Sequence, residues 1–269
     1  MFAYDLVFGA EGETLSYHPE QETPIEAGAQ PVRAGWIGGD GPGIDPQTWP
    51  RSPINGLPMV HIITLRLPAD YQRRGPEFPA ISFFAGEGQF AADDDEVEPD
   101  AGSDDPFLVQ LADAEPHPQF RLLTDIIDGH WGLLWLTEDE FARRTPVPAD
   151  VRVGDEHTSD DDEGVNAWDD AFDEVTVWLA ARDDPNAGVA PTEDDDTAYD
   201  GNWYTDDDSP LARANGRCHL GGTTFCVQAV PEGLTPYYLE LEEFGPLNFG
   251  AGGNAQIDLE SDTFDWACG

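Results

Sequence analysis

Histidine and cysteine are the residues of this sequence with the most chemical potential, and their spacing forms no established motif. The six His are scattered singly, and no His-Glu-x-x-His or Cys-x-x-Cys spacing occurs. Cys218-His219, together with Cys226 and Cys268, could supply a Cys₃His zinc site. Ligand pairs of structural zinc sites usually lie about two to four residues apart. The pattern therefore favours small core residues beside a Gly-Gly turn, with the zinc site as the alternative.

Nucleophile and phosphate-binding motifs are also missing. There is no Gly-x-Ser-x-Gly, and the Gly-rich run 38–43 is not followed by the Lys-Ser/Thr of a phosphate loop. Asp and Glu number 55, so pairs of carboxylates are too abundant to indicate a general acid and base. The sequence predicts no catalytic residue, no metal and no cofactor, and it leans against an enzyme.

The charge balance narrows the classes of partner. The chain contains twelve Arg, no Lys and 55 acidic residues, which gives a net charge of −43. Such a chain lacks the basic footprint that nucleic acids or anionic membranes require. Carboxylates along the whole sequence favour adaptation to concentrated salt, where the Debye length is only about 3 Å at 1 M. The alternative is an acidic surface that captures a basic protein.

Hydropathy predicts a cytoplasmic protein. No run of about eighteen apolar residues occurs, and residues 1–5 lack the basic and apolar regions of a signal peptide. Three Cys without a secretion signal do not indicate a disulfide framework. Aromatic residues make up 11% of the chain, which is enough to build a hydrophobic core.

Short strands dominate the predicted elements. Apolar runs bounded by Pro or Gly predict strands, and the acidic stretches between them predict solvated loops without the ligand spacing of an EF-hand. Thr137 and Glu140 have the spacing of a capping box and predict a short helix. Apolar residues at helical spacing predict a longer helix at 167–182. The predicted strands are 2–8, 59–67, 80–84, 107–111, 132–136, 236–241 and 254–259, and the acidic stretches are 93–105, 155–163 and 193–208.

An internal repeat links the two ends of the chain. Ile37-Gly38-Gly39 is followed by the turn 56–59 and a strand, and Leu220-Gly221-Gly222 is followed by the turn 233–236 and a strand. Gly pairs permit positive φ angles and close backbone approach, so each copy predicts a tight corner. The repeat predicts one fold of two related halves. Gly-rich turns follow both copies, at 85–88 and 249–253.

These residues resemble the YwqG-like family of uncharacterised bacterial and archaeal proteins, over roughly half of the chain. The first part of the family pattern is an apolar-Gly-Gly corner, a Trp-Pro, a Pro-containing turn and an apolar strand. It corresponds to residues 37–39, 49–50, 56–59 and 81–84. The later part corresponds to residues 220–222, Gln228, and 237–241, 248–253, 255–259 and Cys268. The polar segment 254–258 and Asp40 depart from the pattern.

The resemblance implies an α+β, β-rich fold: a single domain, 1–269, of two pseudo-repeated halves built on antiparallel sheets with few helices. The first repeat covers about 30–90, the acidic middle region 91–210 and the second repeat about 211–269. The family carries no established activity that could be transferred.

The predicted function is a non-catalytic binding or interaction protein with an acidic surface suited to high salt. One alternative is an immunity or antitoxin-like partner of a basic protein. The other is a small-molecule-binding protein or enzyme whose site lies between the two halves. The candidate ligand-binding residues near the two corners are Trp36, Gly38, Gly39, His219, Gly221, Gly222 and Gln228.

Overall fold

The chain forms two compact units, each assembled from separate stretches of sequence. The computed structural model describes residues 2–86, 96–125, 127–154, 157, 165–192, 212–250 and 252–269. Unit 1 comprises Met1–Trp36, Leu67–Gly75 and Val175–Gly269, and unit 2 comprises Ile37–Arg66 and Pro76–Glu174. The single domain and the repeat boundaries stay predictions. The predicted loops 193–208 and 155–163 (except His157) lie outside the described residues, as do residues 93–95 and 87–88.

Unit 1 is built on an antiparallel sheet. Its strands are β1 (Ala3–Phe8), β2 (Val32–Ile37), β9 (Val175–Arg182), β10 (His219–Leu220), β11 (Tyr238–Glu242), β12 (Asn254–Asp258) and β13 (Phe264–Ala267). They lie in the order β13-β12-β11-β10-β1-β9-β2. Neighbouring strands from β13 to β9 pair antiparallel.

Strand β1 is the centre of this sheet. It pairs along its whole length with β9, from Ala3 opposite Arg182 to Phe8 opposite Val177, and on its other edge with β10. All of its residues except Tyr4 are buried. Asp5 is one of the buried residues, and its carboxylate binds the guanidinium groups of Arg182 and Arg217. Two guanidinium groups thus compensate the burial of one carboxylate.

Unit 2 is built on four antiparallel strands. Its strands are β4 (Val60–Arg66), β5 (Ala80–Ala85), β6 (Phe120–Thr124) and β7 (His130–Leu136), in the order β4-β5-β7-β6. The short strands β3 (Gly41–Pro42) and β8 (Arg144–Thr145) form a separate pair. All seven residues of β7 are buried, which explains its continuous apolar sequence.

Trp49 fastens a long loop of unit 2 to its core. Its ring packs edge-on against Phe84, with 5.5 Å between the ring centroids, and its indole N–H donates a 2.9 Å hydrogen bond to the carbonyl of Met59. Ile44, Met59 and Leu134 belong to the same buried cluster. The loop between Trp49 and Met59 is therefore held at both ends against the sheet.

Two short α-helices occur in the described residues, and both lie in unit 2. Helix α2 (Glu138–Ala142) confirms the helix predicted after Thr137, including its capping box. Helix α1 (Pro106–Ala112) shows that the strand predicted at 107–111 is wrong. The Asp105 carboxylate accepts a 2.9 Å hydrogen bond from the Phe107 N–H, and Pro106 occupies the first turn. These two helix-start signals outweigh the apolar run that follows them.

The helix predicted at 167–182 is wrong. Its first part is a turn, in which the Asn166 side-chain oxygen accepts hydrogen bonds from the Trp168 and Asp169 N–H groups. Its second part is strand β9, which begins with the β-branched run Val175-Thr176-Val177 and pairs with β1 over six residues. The spacing of the apolar residues fits both the helical period and the strand period. Pairing with the buried strand β1 favours the strand.

The predicted fold class is confirmed, because the described residues form antiparallel sheets with only two α-helices. The strands predicted at 2–8, 59–67, 80–84, 132–136, 236–241 and 254–259 coincide with β1, β4, β5, β7, β11 and β12. No helix in the described part of the chain has the length and apolar character needed to span a membrane.

Candidate functional site

In unit 1 the second predicted corner is a tight left-handed turn. Strand β10 leads into Gly221 and Gly222, whose φ angles are +54° and +86°. The Gly221 N–H donates to the Tyr238 carbonyl (2.9 Å), and the Tyr238 hydroxyl donates to the Gly222 carbonyl (2.9 Å). A Cβ on Gly222 would lie 2.7 Å from both the Ala3 Cβ and the Asp184 Oδ2. Both the φ angles and the packing require glycine here.

A fully buried histidine–glutamate pair lies next to this corner. The His219 Nε2 lies 3.1 Å from the Glu240 Oε1, and neither side chain is exposed to solvent. The His219 Nδ1 lies 3.0 Å from the Gly221 carbonyl oxygen. Because both ring nitrogens face oxygen acceptors, the geometry fits an imidazolium that donates from each nitrogen.

Glu240 uses its carboxylate to join four segments of unit 1. It accepts hydrogen bonds from the Thr224 hydroxyl (2.6 Å), the Phe225 N–H (3.1 Å) and the Gln256 amide (3.2 Å), in addition to His219. Burial alone would raise the pKa of Glu240, but the charge of His219 and these hydrogen bonds lower it below its ordinary value. Protein groups thus donate four hydrogen bonds to the Glu240 carboxylate, and this indicates a structural role for it.

Asp184 closes the other side of the same corner. Its carboxylate accepts hydrogen bonds from the Thr223 N–H (3.0 Å), the Thr223 hydroxyl (3.0 Å) and the Asn186 N–H (2.9 Å). It also pairs with Arg182 at 3.0 Å, and its side chain is fully buried. The corner is thus held between two buried carboxylates, Glu240 and Asp184.

In unit 2 the first corner has a neutral network instead. Gly38 and Gly39 have φ angles of +62° and +58°, and the His61 Nδ1 lies 2.9 Å from the Gly38 carbonyl oxygen. Its Nε2 lies 2.8 Å from the Thr64 hydroxyl, which is 2.8 Å from the Ser82 hydroxyl. Burial lowers the pKa of His61 to about 3, so the ring is neutral. The Nδ1–H donates to Gly38, and Nε2 accepts from Thr64.

The two corners share one local pattern. The first Gly donates its N–H to a carbonyl of the following long strand, Ile62 in unit 2 and Tyr238 in unit 1. Two residues further on, Thr64 faces Ser82 across the sheet, and Glu240 faces Gln256. The same backbone corner therefore carries a hydroxyl pair in one unit and a carboxylate–amide pair in the other. Duplication of whole halves stays a prediction.

The predicted ligand-binding residues fall into two separate surroundings. Gly38 and Gly39 belong to unit 2, and the other five belong to unit 1. Trp36 is 2% exposed on β2, and Gln228 donates to the Cys268 carbonyl at 2.6 Å, so His219 and Gln228 have different partners. The corner residues are best explained as structural, and their role in a ligand site stays a prediction. The five in unit 1 are Trp36, His219, Gly221, Gly222 and Gln228.

The zinc alternative gains no support from the cysteines. The Cys218 sulfur accepts a hydrogen bond from the Glu242 N–H at 3.4 Å, and the Cys226 sulfur lies 3.1 Å from the Thr224 hydroxyl. Burial raises the pKa of Cys226 to about 12, so its thiol is protonated. No group of three or more His, Cys, Asp or Glu placed to hold a metal ion is found among the described residues.

No family model, no curated protein and no solved structure matches this chain. The resemblance to the YwqG-like family stays a prediction, and the candidate site rests on the chemistry of the chain itself.

Unit 2 contains a cavity of about 290 Å³ that sequence reasoning missed. Three segments line it: the loop that begins at Trp49, residues 96–99, and the end of α1 with the following loop. The lining includes Arg51, the apolar side chains of Trp49, Leu111 and Phe120, and the carboxylates of Glu96, Glu98 and Glu115. Apolar surface with a few charged or polar groups is the usual composition of a small-molecule site.

Arg51 is the distinctive group of this cavity. Its guanidinium donates to the Gly56 carbonyl (2.9 Å) and to the Gln110 side-chain oxygen (2.7 Å), and both acceptors are neutral. Arg51 forms no ion pair with any residue that the structure describes. Burial lowers the pKa of Arg51 to about 10, which leaves it charged at neutral pH.

Neighbouring hydrogen bonds fix the position of this guanidinium. Gln110 donates its own amide N–H to the Ala149 carbonyl at 3.0 Å, which turns its oxygen towards Arg51. The Ser52 hydroxyl accepts from the Ile54 and Asn55 N–H groups, and this closes the turn after Arg51. The guanidinium is therefore held in place before any ligand binds.

A sequence signal for Arg51 exists, although it is weak. Residues 46–69 contain no Asp or Glu, in a chain where these types number 55. An Arg in the middle of such a stretch has no carboxylate close by in sequence. Only the fold shows that α1 offers it Gln110 and not an acidic residue.

The corners generate a prediction with a matched control. Gly222→Ala should lower the free energy of unfolding by about 2 to 4 kcal/mol, because it combines an unfavourable φ angle with overpacking against Ala3 and Asp184. Gly233 has a similar φ of +82° with nothing within 4 Å, so Gly233→Ala should cost only about 1 kcal/mol. Denaturant unfolding of both variants measures the difference. Equal losses would show that packing at the corner is unimportant.

Glu242 generates a prediction about pH. Burial and the negative charge of Glu240 raise the pKa of Glu242 to about 7 in the folded chain. The folded protein thus keeps a proton that the unfolded chain loses between about pH 4.5 and 7, so stability falls as the pH rises through this window. Glu242→Gln should match wild type at pH 4.5 and exceed it at pH 8 by on the order of 1 to 3 kcal/mol.

Unfolding curves at the two pH values test this expectation. Exposed Glu232 provides the control, and Glu232→Gln should follow the wild-type pH dependence. If Glu242→Gln lost stability between pH 4.5 and 8 as steeply as wild type, Glu242 would not be the group that titrates.

Proposed function

We propose that this chain is a non-catalytic, cytoplasmic binding protein that works in concentrated salt and takes a small carboxylate-bearing molecule in the Arg51 cavity. One observation carries the proposal. In a chain with a net charge of −43, a largely buried guanidinium lines a cavity and contacts only neutral acceptors among the described residues.

Two other Arg residues differ from Arg51 because each is paired with a carboxylate. Arg152 is held between Asp150 (2.9 Å) and Asp169 (2.8 Å), and Arg217 pairs with Asp5 (2.9 Å). Arg217 also lines a cavity, of about 370 Å³, but its charge is already compensated there. Burying a cation without a counter-charge costs free energy. A bound carboxylate would supply the counter-charge that Arg51 lacks.

The remaining donors of Arg51 suit a carboxylate. A guanidinium has five N–H donors in one plane, and two of those of Arg51 are used by Gly56 and Gln110. A planar carboxylate can accept two parallel hydrogen bonds from such a group. The cavity volume of about 290 Å³ limits the ligand to a small molecule.

The surroundings of the cavity favour binding over catalysis. His117 lines it, but its Nε2 is bonded to the Glu140 carboxylate (3.0 Å) and its Nδ1 accepts from the Gln119 N–H (3.2 Å). The Ser52 oxygen accepts from two backbone N–H groups of its own turn. The lining residues in the described ranges thus offer no hydroxyl or thiol paired with a free base.

Binding of N-acetyl-leucine tests the site. Calorimetric titration in 2 M KCl should detect binding to the wild type, and Arg51→Gln should weaken it at least tenfold, or about 1.4 kcal/mol, because the charge-assisted bonds are lost. Arg33→Gln removes the same charge from an exposed position of β2 and should bind as the wild type does. No binding to the wild type, or equal binding to Arg51→Gln, would contradict the proposal.

The salt adaptation has its own test. With 55 carboxylates against 12 guanidinium groups, self-repulsion should destabilise the fold at low ionic strength and be screened at high ionic strength. The melting temperature should rise by about 10 °C, roughly 5 kcal/mol for a chain of this size, between 0.1 and 2 M KCl. Sucrose at matched osmolality should reproduce only part of the rise. A melting temperature that is flat in KCl would favour the alternative of a surface that captures a basic protein.

A further inference from the structure

We infer that the ligand of the Arg51 cavity is a zwitterionic amino acid with an apolar side chain, bound with its carboxylate on Arg51 and its ammonium at an acidic rim. This inference rests on the proposed function and adds the class of ligand. It comes from the two kinds of charge that line the cavity. Arg51 is largely buried, whereas three exposed carboxylates also line the cavity: Glu96, Glu98 and Glu115.

Backbone hydrogen bonds hold the acidic rim beside the Arg51 loop. The Val97 N–H donates to the Ile54 carbonyl at 2.8 Å, which places Glu96 and Glu98 next to the turn that follows Arg51. The Glu115 N–H donates to the Gln47 carbonyl at 2.9 Å, which places Glu115 beside the start of the same loop. Two segments of chain therefore bring carboxylates to the cavity, and both are anchored.

The three carboxylates of the rim favour a zwitterionic ligand over a simple anion. A simple anion bound to Arg51 shares the cavity with three carboxylates and gains nothing from them. A zwitterion can place its ammonium against one of these carboxylates, at contact distance, where salt screens the attraction least. A purely cationic ligand would instead be repelled by Arg51.

The apolar part of the cavity lining indicates which side chain the ligand carries. Trp49, Leu111 and Phe120 line the cavity together with several Pro residues. These groups offer apolar surface and no counter-charge, so they suit an aliphatic or aromatic side chain. Leucine combines the three features that the cavity can recognise: a carboxylate, an ammonium and an apolar side chain.

Three related probes test the inference by calorimetric titration in 2 M KCl. Leucine carries both charges, N-acetyl-leucine lacks the ammonium, and leucinamide lacks the carboxylate. We expect leucine to bind at least tenfold more tightly than N-acetyl-leucine, and leucinamide not to bind. The affinity for both carboxylates should fall at least tenfold in Arg51→Gln.

A rim variant separates this inference from the proposed function. The triple variant Glu96→Gln, Glu98→Gln, Glu115→Gln should bind leucine at least tenfold more weakly and N-acetyl-leucine no more weakly than wild type does. The control Glu11→Gln, Glu13→Gln, Glu22→Gln removes three exposed charges from unit 1 and should leave both affinities unchanged. Melting curves confirm that each variant is folded.

The outcomes are distinct. If N-acetyl-leucine binds in an Arg51-dependent manner but leucine binds no more tightly, the zwitterion inference is wrong and the proposed function stands. If the rim variant leaves leucine binding unchanged, the ammonium does not use the rim and the inference is also wrong. If neither carboxylate binds the wild type, both proposals fail.

Discussion

The scarcity of cations is the constraint on which this structure depends. The chain has 12 guanidinium groups for 55 carboxylates, so most carboxylates have no basic partner and must remain in contact with solvent. Two buried carboxylates are bound by basic side chains: Arg182 and Arg217 contact Asp5, and His219 contacts Glu240. Two others, Asp125 and Asp258, accept hydrogen bonds from neutral N–H groups. Arg51 differs from these basic residues, because its largely buried guanidinium donates only to neutral acceptors among the described residues.

The Gly-Gly corners give the units their local order. Each corner turns the chain from one strand towards the next within a space that admits no side chain, and each is sealed by buried hydrogen bonds. The cost of a buried polar network is offset only when every member finds a partner. Both ring nitrogens of His61 and both of His219 have a protein partner, so each histidine contributes to the stability of its corner.

Sequence patterns predicted strands well wherever burial alone sets the structure, as in β1, β4 and β7. These patterns gave the wrong element where the same residues fit both the helical period and the strand period. The spacing of Trp168, Phe172, Val175 and Leu179 suits a helix, and only the pairing with β1 decides for a strand. At 107–111 the capping residue Asp105 indicates a helix, but the apolar run that follows it suggested a strand. The sequence also could not predict the Arg51 cavity, because it depends on α1 presenting Gln110 to a loop far away in the chain.

The position of β1 has a consequence for how this protein is made. Strand β1 is synthesised long before its partners β9 and β10, which begin at Val175 and His219. Its apolar edge therefore waits without a partner while unit 2, whose contributing stretches all precede β9, is synthesised. Pairings of such long range fold slowly, and unpaired apolar strands aggregate. The net charge of −43 should limit that aggregation, because like charges keep nascent chains apart.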